Sequence, residues 1–221
     1  GGFATSKLNN SDPLDLLVEA TLNTKWILGK DVKFALDVAA SEFYNKEKNL
    51  YELKSENLKL SSEELISIYK SLILKYPIYS IEDGLSEDDW DGWKKMTSQI
   101  GDNIQLVGDD LFVTQKEFLN KGIKEKAGNS ILIKLNQVGT VSETIDTIIM
   151  AQKNNFSTII SHRSGETEDT FIADLAIGTN SNQLKSGAPA RGERISKYNR
   201  TLLIGENDLG HLKTLKIKKM G

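Results

Sequence analysis

The 221-residue chain contains no cysteine. Disulfides and thiolate metal sites are therefore excluded, and a reducing compartment fits the composition. No apolar run approaches the roughly 20 residues that a membrane-spanning helix needs. The formal net charge of -3 gives no general attraction to nucleic acid or to acidic membranes, which leaves only local basic sites. The opening Gly1-Gly2-Phe3-Ala4 has neither a methionine nor the layout of a signal peptide, so the expectation is the interior of a longer chain.

What is present is the composition of a globular protein, 38% hydrophobic and 27% charged. The length suits one large domain or two small ones with a substantial core. Asp12-Pro13 reads as a helix start, with Asp12 as the cap and Leu14, Leu17, Val18 and Leu22 on one face. Val32 to Ala39 reads as a strand broken by the carboxylate of Asp37, and Ser41 to Lys59 as a small hairpin excursion. Three pairs have capping-box spacing, Ser61 with Glu64, Thr114 with Glu117 and Thr140 with Glu143, each followed by apolar residues at helical spacing.

Between and after these helices lie strands that end in ionisable residues. Tyr79 to Asp83 ends in acid, as does Gln105 to Asp110, and Ser130 to Asn136 encloses Lys134. Thr158-Ile159-Ile160 runs into Ser161-His162-Arg163-Ser164-Gly165, with Glu166, Glu168 and Asp169 expected to open the next helix. Gln183 to Gly187 carries Lys185, ahead of a helix from about Pro189 to Leu203. Glu82, Asp109, Lys134, His162 and Lys185 follow one another at steps of about 23 to 28 residues, the length of one strand–helix unit. Such alternation predicts an α/β fold with a parallel sheet, in which the carboxyl ends of the strands meet on one face. Asp37, Glu82, Asp109, Lys134, His162 and Lys185 are therefore expected to converge.

Carboxylates from Asp37, Glu82 and Asp109 would repel one another without a cation between them. An all-oxygen set lacking His and Cys points to a hard ion, Mg²⁺. Beside that ion and Lys185, the ammonium form of Lys134 is disfavoured, which suits a general base taking a proton from carbon next to a carboxylate. Arg163 and Ser164 match an anion such as phosphate in geometry and charge.

Four stretches then resemble a known family: Ser-His-Arg-Ser-Gly-Glu-Thr-Glu-Asp-Thr-Phe-Ile-Ala-Asp-Leu (161–175), Leu-Lys-Ser-Gly-Ala-Pro-Ala-Arg-Gly-Glu-Arg (184–194), Ser-Ile-Glu-Asp-Gly (80–84) and Leu-Asp-Val-Ala-Ala-Ser-Glu-Phe-Tyr (36–44). Together they are similar to enolase (phosphopyruvate hydratase) in its bacterial form, and the likeness covers almost the whole chain. It implies a TIM-type (β/α) barrel, here about six of the eight βα units of a full barrel, with residues 1–221 as the carboxy-terminal catalytic domain. It implies reversible dehydration of 2-phosphoglycerate to phosphoenolpyruvate in glycolysis, in the cytoplasm, with Mg²⁺. Asp37, Glu82 and Asp109 are the metal ligands by motif match, and Lys134 is the proton acceptor. Glu82, Asp109, His162, Arg163, Ser164 and Lys185 contact substrate, Asp110 stands behind the ligands, and His211 has no assigned role.

The resemblance also implies a homodimer or higher homo-oligomer. Its alternative is a non-catalytic interaction protein, binding plasminogen at the cell surface or joining an RNA-degradation complex, with Lys216, Lys218 and Lys219 offered to lysine-reading partners. An acid-sugar enzyme of the same superfamily is disfavoured by the phosphate-type Ser-His-Arg-Ser loop. Family members are longer and carry their catalytic acid, a glutamate, directly before the Gly-Gly-Phe-Ala element, with a mobile serine loop further upstream. The expectation is thus a chain that holds the base side of the reaction, has little turnover alone, and exposes barrel edges at 32–38 and 183–186.

Overall fold

The computed structural model describes residues 2–5, 9–181 and 183–208. These residues fall into two compact units, one from Ala4 to Thr158 and the other starting at Ile159.

The larger unit opens with α1 (Asp12–Leu22). Its cap lies before the expected Asp12: Ser11 is the boundary residue, and the Asn9 Oδ1 accepts the N–H groups of Ser11 and Asp12 at 3.0 Å each. Leu14 is buried, but Leu17 and Leu22 are not, so only part of the expected apolar face is covered. Next come β1 (Phe34–Asp37) and a 3-10 turn (Ala40–Phe43). Three short strands follow, β2 (Tyr44–Asn45), β3 (Leu50–Leu53) and β4 (Leu58–Leu60), pairing antiparallel in that order. The excursion expected at 41–59 is thus a three-stranded meander rather than one hairpin.

The repeating units are α2 (Ser62–Lys75), β5 (Ile78–Glu82), α3 (Trp90–Ile100), β6 (Gln105–Gly108), α4 (Lys116–Glu125), β7 (Ser130–Ile133), the short α5 (Leu135–Val138) and α6 (Val141–Lys153). β1, β5, β6 and β7 pair in parallel, neighbour to neighbour. Ser61 closes a full capping box with Glu64, and the Thr140 hydroxyl accepts the Glu143 N–H. Trp93, Met96 and Ile100, spaced by three and four residues on α3, are buried with Ile81, Leu106, Leu119 and Leu132. At the amino ends of the strands, Gln105 Nε2 donates to the hydroxyls of Ser130 at 3.1 Å and Ser157 at 2.7 Å, and the Ser130 hydroxyl donates to the Ser157 carbonyl. Ser157 N–H donates to the Asn129 carbonyl, and so starts β8 (Ser157–Ser161) beside β7.

β8 ends in the second unit, where Ile160 and Ser161 pair in parallel with Leu184 and Lys185 of β9. That unit contains α7 (Phe171–Gly178), β9 (Leu184–Lys185) and α8 (Gly192–Asp208). α7 and α8 pack together, and Arg200 forks onto both oxygens of Asp174. The helix expected from about Pro189 begins at Gly192 and runs past Leu203.

Candidate active site

Opposite Phe34 stands Ile78, but opposite Ala35 stands Ser80. The extra residue, Tyr79, is a bulge in β5 that advances the register by one. Asp37 therefore lies level with Glu82, where an unbroken ladder would have set it against Ile81. Asp83 then takes a left-handed backbone, φ 42°, and is almost wholly buried. One of its oxygens accepts the N–H of Asp109 and the other that of Asp110, each at 2.9 Å. Asp83 thus clips the turn after β6 to the end of β5. Burial pushes its carboxyl up to about 7; the two N–H donors pull the other way, and the charges of Asp109 and Asp110 add to the rise. Burial also raises Asp110, with Asp109, Glu87 and Asp37 reinforcing the rise and Lys134 opposing it. Asp37, Asp109, Asp110 and Lys134 therefore share one electrostatic neighbourhood.

Among the described residues, Asp83, Asp109 and Asp110 have ligand atoms within 4.8 Å of one another. Asp109 belongs to the expected trio, whereas Asp83 is absent from it. Its signal was a second acid directly after Glu82 and before Gly84. The donor set, carboxylates without imidazole or thiolate, fits a hard divalent cation.

Lys134 is at the carboxyl end of its strand, not inside it: β7 stops at Ile133 and Lys134 caps α5. Its ammonium pairs with Asp109 Oδ2, and both side chains are mostly buried. Its backbone N–H donates to the Thr114 hydroxyl at 3.0 Å, and that hydroxyl donates to Gln137 Oε1 at 2.7 Å. Thr114 is completely buried, and it and Val113 both have left-handed backbone, with φ 57° and 41°. That conformation is costly for β-branched residues. The expected capping box of Thr114 with Glu117 does not form. α4 starts at Lys116 after Gln115, and the Thr114 hydroxyl supports Lys134 instead.

In the second unit, His162 N–H donates to the Lys185 carbonyl, which fixes the start of the polar loop. Arg163 and Ser164 are exposed. Glu166, Glu168 and Asp169 do not open α7, which begins at Phe171. Glu166 instead accepts the Arg163 N–H at 3.0 Å and closes the loop upon itself, while Asp169 accepts the Phe171 N–H at 2.9 Å. Two cations that the sequence did not single out lie beneath this loop, Arg194 at 5% exposure and Lys197 at 0%. Lys197 donates to the carbonyls of Thr167 and Glu193 and lies 3.5 Å from Glu166.

The larger unit thus brings Asp37, Glu82, Asp109 and Lys134 to neighbouring strand ends, and the second unit brings His162, Arg163, Ser164 and Lys185 to theirs. His211, Lys216, Lys218 and Lys219 lie outside the described residues.

Residues 1–220 match the family model described as enolase, C-terminal TIM barrel domain. The chain belongs to the enolase family. It is 53% identical over 219 residues to Enolase 1 of Methanospirillum hungatei JF-1, covering 99% of this chain and 51% of that protein. The chain thus spans about half the length of the curated relative it matches. Its fold is the TIM-type α/β barrel of that domain in incomplete form, with six parallel strands among the described residues. Enolase membership implies a divalent metal, for which the acids after β5 and β6 offer oxygen ligands. No helix among the described residues is long and apolar enough to cross a membrane.

Proposed function

We propose that the protein is a magnesium-dependent lyase of cytoplasmic glycolysis that reversibly dehydrates 2-phosphoglycerate to phosphoenolpyruvate. Residues 1–221 are its carboxy-terminal barrel domain, and the assembly is a homodimer or higher homo-oligomer. The observation that carries this reading is Lys134 paired with Asp109 at adjoining strand ends, with Asp83 and Asp110 close to the same carboxylate. Family membership and the 53% identity to a protein named Enolase 1 support it.

Asp37, Glu82 and Asp109 would hold the cation, with Asp83 keeping the turn at Asp109 and Asp110 in place. Mg²⁺ held there would supply positive charge at the substrate carboxylate, and Asp109 would serve both the ion and Lys134. Lys134, as the neutral amine, accepts the proton from carbon 2 and becomes the ammonium. The electron pair left behind passes into the substrate carboxylate as an enolate. It returns as the double bond to carbon 3 when hydroxide leaves there, taking a proton from the glutamate that family members carry directly before the Gly-Gly-Phe-Ala element and so departing as water. His162, Arg163, Ser164 and Lys185 bind the anionic substrate, Arg163 as a planar fork suited to phosphate oxygens.

The test is deuterium incorporation at carbon 2, followed by NMR alongside phosphoenolpyruvate absorbance, with Mg²⁺ present. Lys134→Ala is expected to abolish exchange and, in a protein that also carries the family's upstream glutamate, to lower turnover by at least about 10²–10⁴-fold, the usual worth of a positioned base. Exchange that persists in Lys134→Ala would place the base elsewhere.

A further inference from the structure

The ring of His162 is held by a partner that can only donate. Arg194 Nη1 lies 2.5 Å from His162 Nδ1 and donates to the Arg163 carbonyl at 2.9 Å, while Nη2 lies 3.4 Å from the Ser164 carbonyl. A guanidinium has five N–H groups and no acceptor, so Nδ1 must accept. A hydrogen on Nδ1 would face the guanidinium donor to donor, and an imidazolium would add charge against charge. The neutral ring therefore carries its hydrogen on Nε2.

The surroundings make this contact a built one. Gly187 follows β9 with φ +79°, and a Cβ there would come 3.1 Å from His162 Cε1 and 3.4 Å from Arg194 Cδ. Glycine thus leaves the ring and the guanidinium room to meet. On the other side Glu193 lies 3.6 Å from Arg194 Nε. One helical turn on, Lys197 ties down Thr167 and Glu166. The loop from His162 to Thr167 is thereby fixed at both ends by α8.

We propose that Arg194 is a positioning residue: it selects the Nε2–H tautomer of His162 and sets the Arg163–Ser164 backbone for an anionic substrate. This rests on the substrate-binding role proposed above for that loop. An exposed loop given only Arg163 and Ser164 would have to order itself around each anion. Here α8 has ordered it beforehand, so less is lost on binding.

The experiment uses ¹⁵N-labelled protein carrying His211→Gln, because the sequence has two histidines and this leaves His162 as the single imidazole signal. Long-range ¹H–¹⁵N correlation at neutral pH is expected to show Nε2–H in the parent and a tautomer mixture in Arg194→Met. Arg194→Lys keeps one donor and is expected to retain the tautomer. In a protein that also carries the family's upstream glutamate, Arg194→Met should raise KM for 2-phosphoglycerate by about tenfold, the scale of one lost charge-assisted hydrogen bond, with a smaller change in kcat. A merely structural role would lower stability without moving the tautomer. An Nδ1–H ring or an imidazolium in the parent would overturn the proposal, and that measurement needs no variant to fold. An unchanged tautomer in folded Arg194→Met would overturn it equally. Absence of carbon-2 hydrogen exchange in the parent would count against the proposed reaction, while the tautomer result would still decide this one.

Discussion

At the ends of β5, β6 and β7 the carboxylates of Asp83, Asp109 and Asp110 lie close together, and Asp109 pairs with the ammonium of Lys134. Beneath the loop after β8 two cations are buried, and backbone carbonyls receive them: those of Arg163 and Ser164 for Arg194, and those of Thr167 and Glu193 for Lys197. The first region concentrates negative charge that its own residues only partly offset, an arrangement that favours taking up a cation. In the second, the buried charges shape the backbone, and the exposed Arg163 and Ser164 remain on the surface. Buried charge thus gathers oxygen donors in one region and builds a scaffold in the other.

The contrast is broken most severely at Asp109. Asp109→Asn removes one charge from the acid cluster and the partner of Lys134, and titration calorimetry should show Mg²⁺ binding weakened by about a hundredfold or more. Equal affinities would remove Asp109 from the metal set. In the scaffold region the expected loss is stability. Lys197→Met strips a fully buried ammonium from two carbonyls and Glu166, at a cost of about 3 kcal/mol in urea denaturation. Thr114→Val tests the support beneath Lys134. It leaves the Lys134 N–H and Gln137 Oε1 without the hydroxyl, at about 1–3 kcal/mol, and kcat should fall more than KM rises.

The smallest effect is expected at the half-exposed Asp174–Arg200 pair. The hydrogen bond from Arg200 holds the Asp174 carboxyl below its ordinary 3.8. A depressed carboxylate stabilises the fold above the unfolded value and loses that contribution as pH falls through the folded one. Acid unfolding of Arg200→Gln should therefore begin at higher pH than in the parent, and identical profiles would mean the pair contributes nothing.

Much of this arrangement was legible where the physics is local. The step from Glu82 to Asp109 to Lys134 follows the length of a strand–helix unit, and the capping box at Ser61 involves residues three apart. Thr114 with Glu117 has the same spacing, yet its hydroxyl goes to Lys134, twenty residues away along the chain. No local pattern weighs that competitor. The bulge at Tyr79 was equally invisible, because it is a relation between two strands. Arg194 and Lys197, three apart on a helix, read like a solvated face. Only the loop lying over them makes them interior. Asp83 was hidden by its neighbour, since alternation along a strand assigns adjacent residues to opposite faces and its left-handed backbone breaks that rule.

The polar contacts among Gln105, Ser130 and Ser157 lie at the opposite ends of the strands from Asp109 and Lys134. A strand advances about 3.3 Å per residue, so a slip of one position would move Lys134 past Asp109 by more than the length of their hydrogen bond. These three side chains work as an index mark for the sheet, tying Gln105 to Ser130 and Ser157, and Ser130 to Ser157, at the end away from the charges. Damage there would leave the strands paired and the helices packed while the acid and the base no longer arrived at the same level. Alignment of the chemistry is thus set where no chemistry takes place.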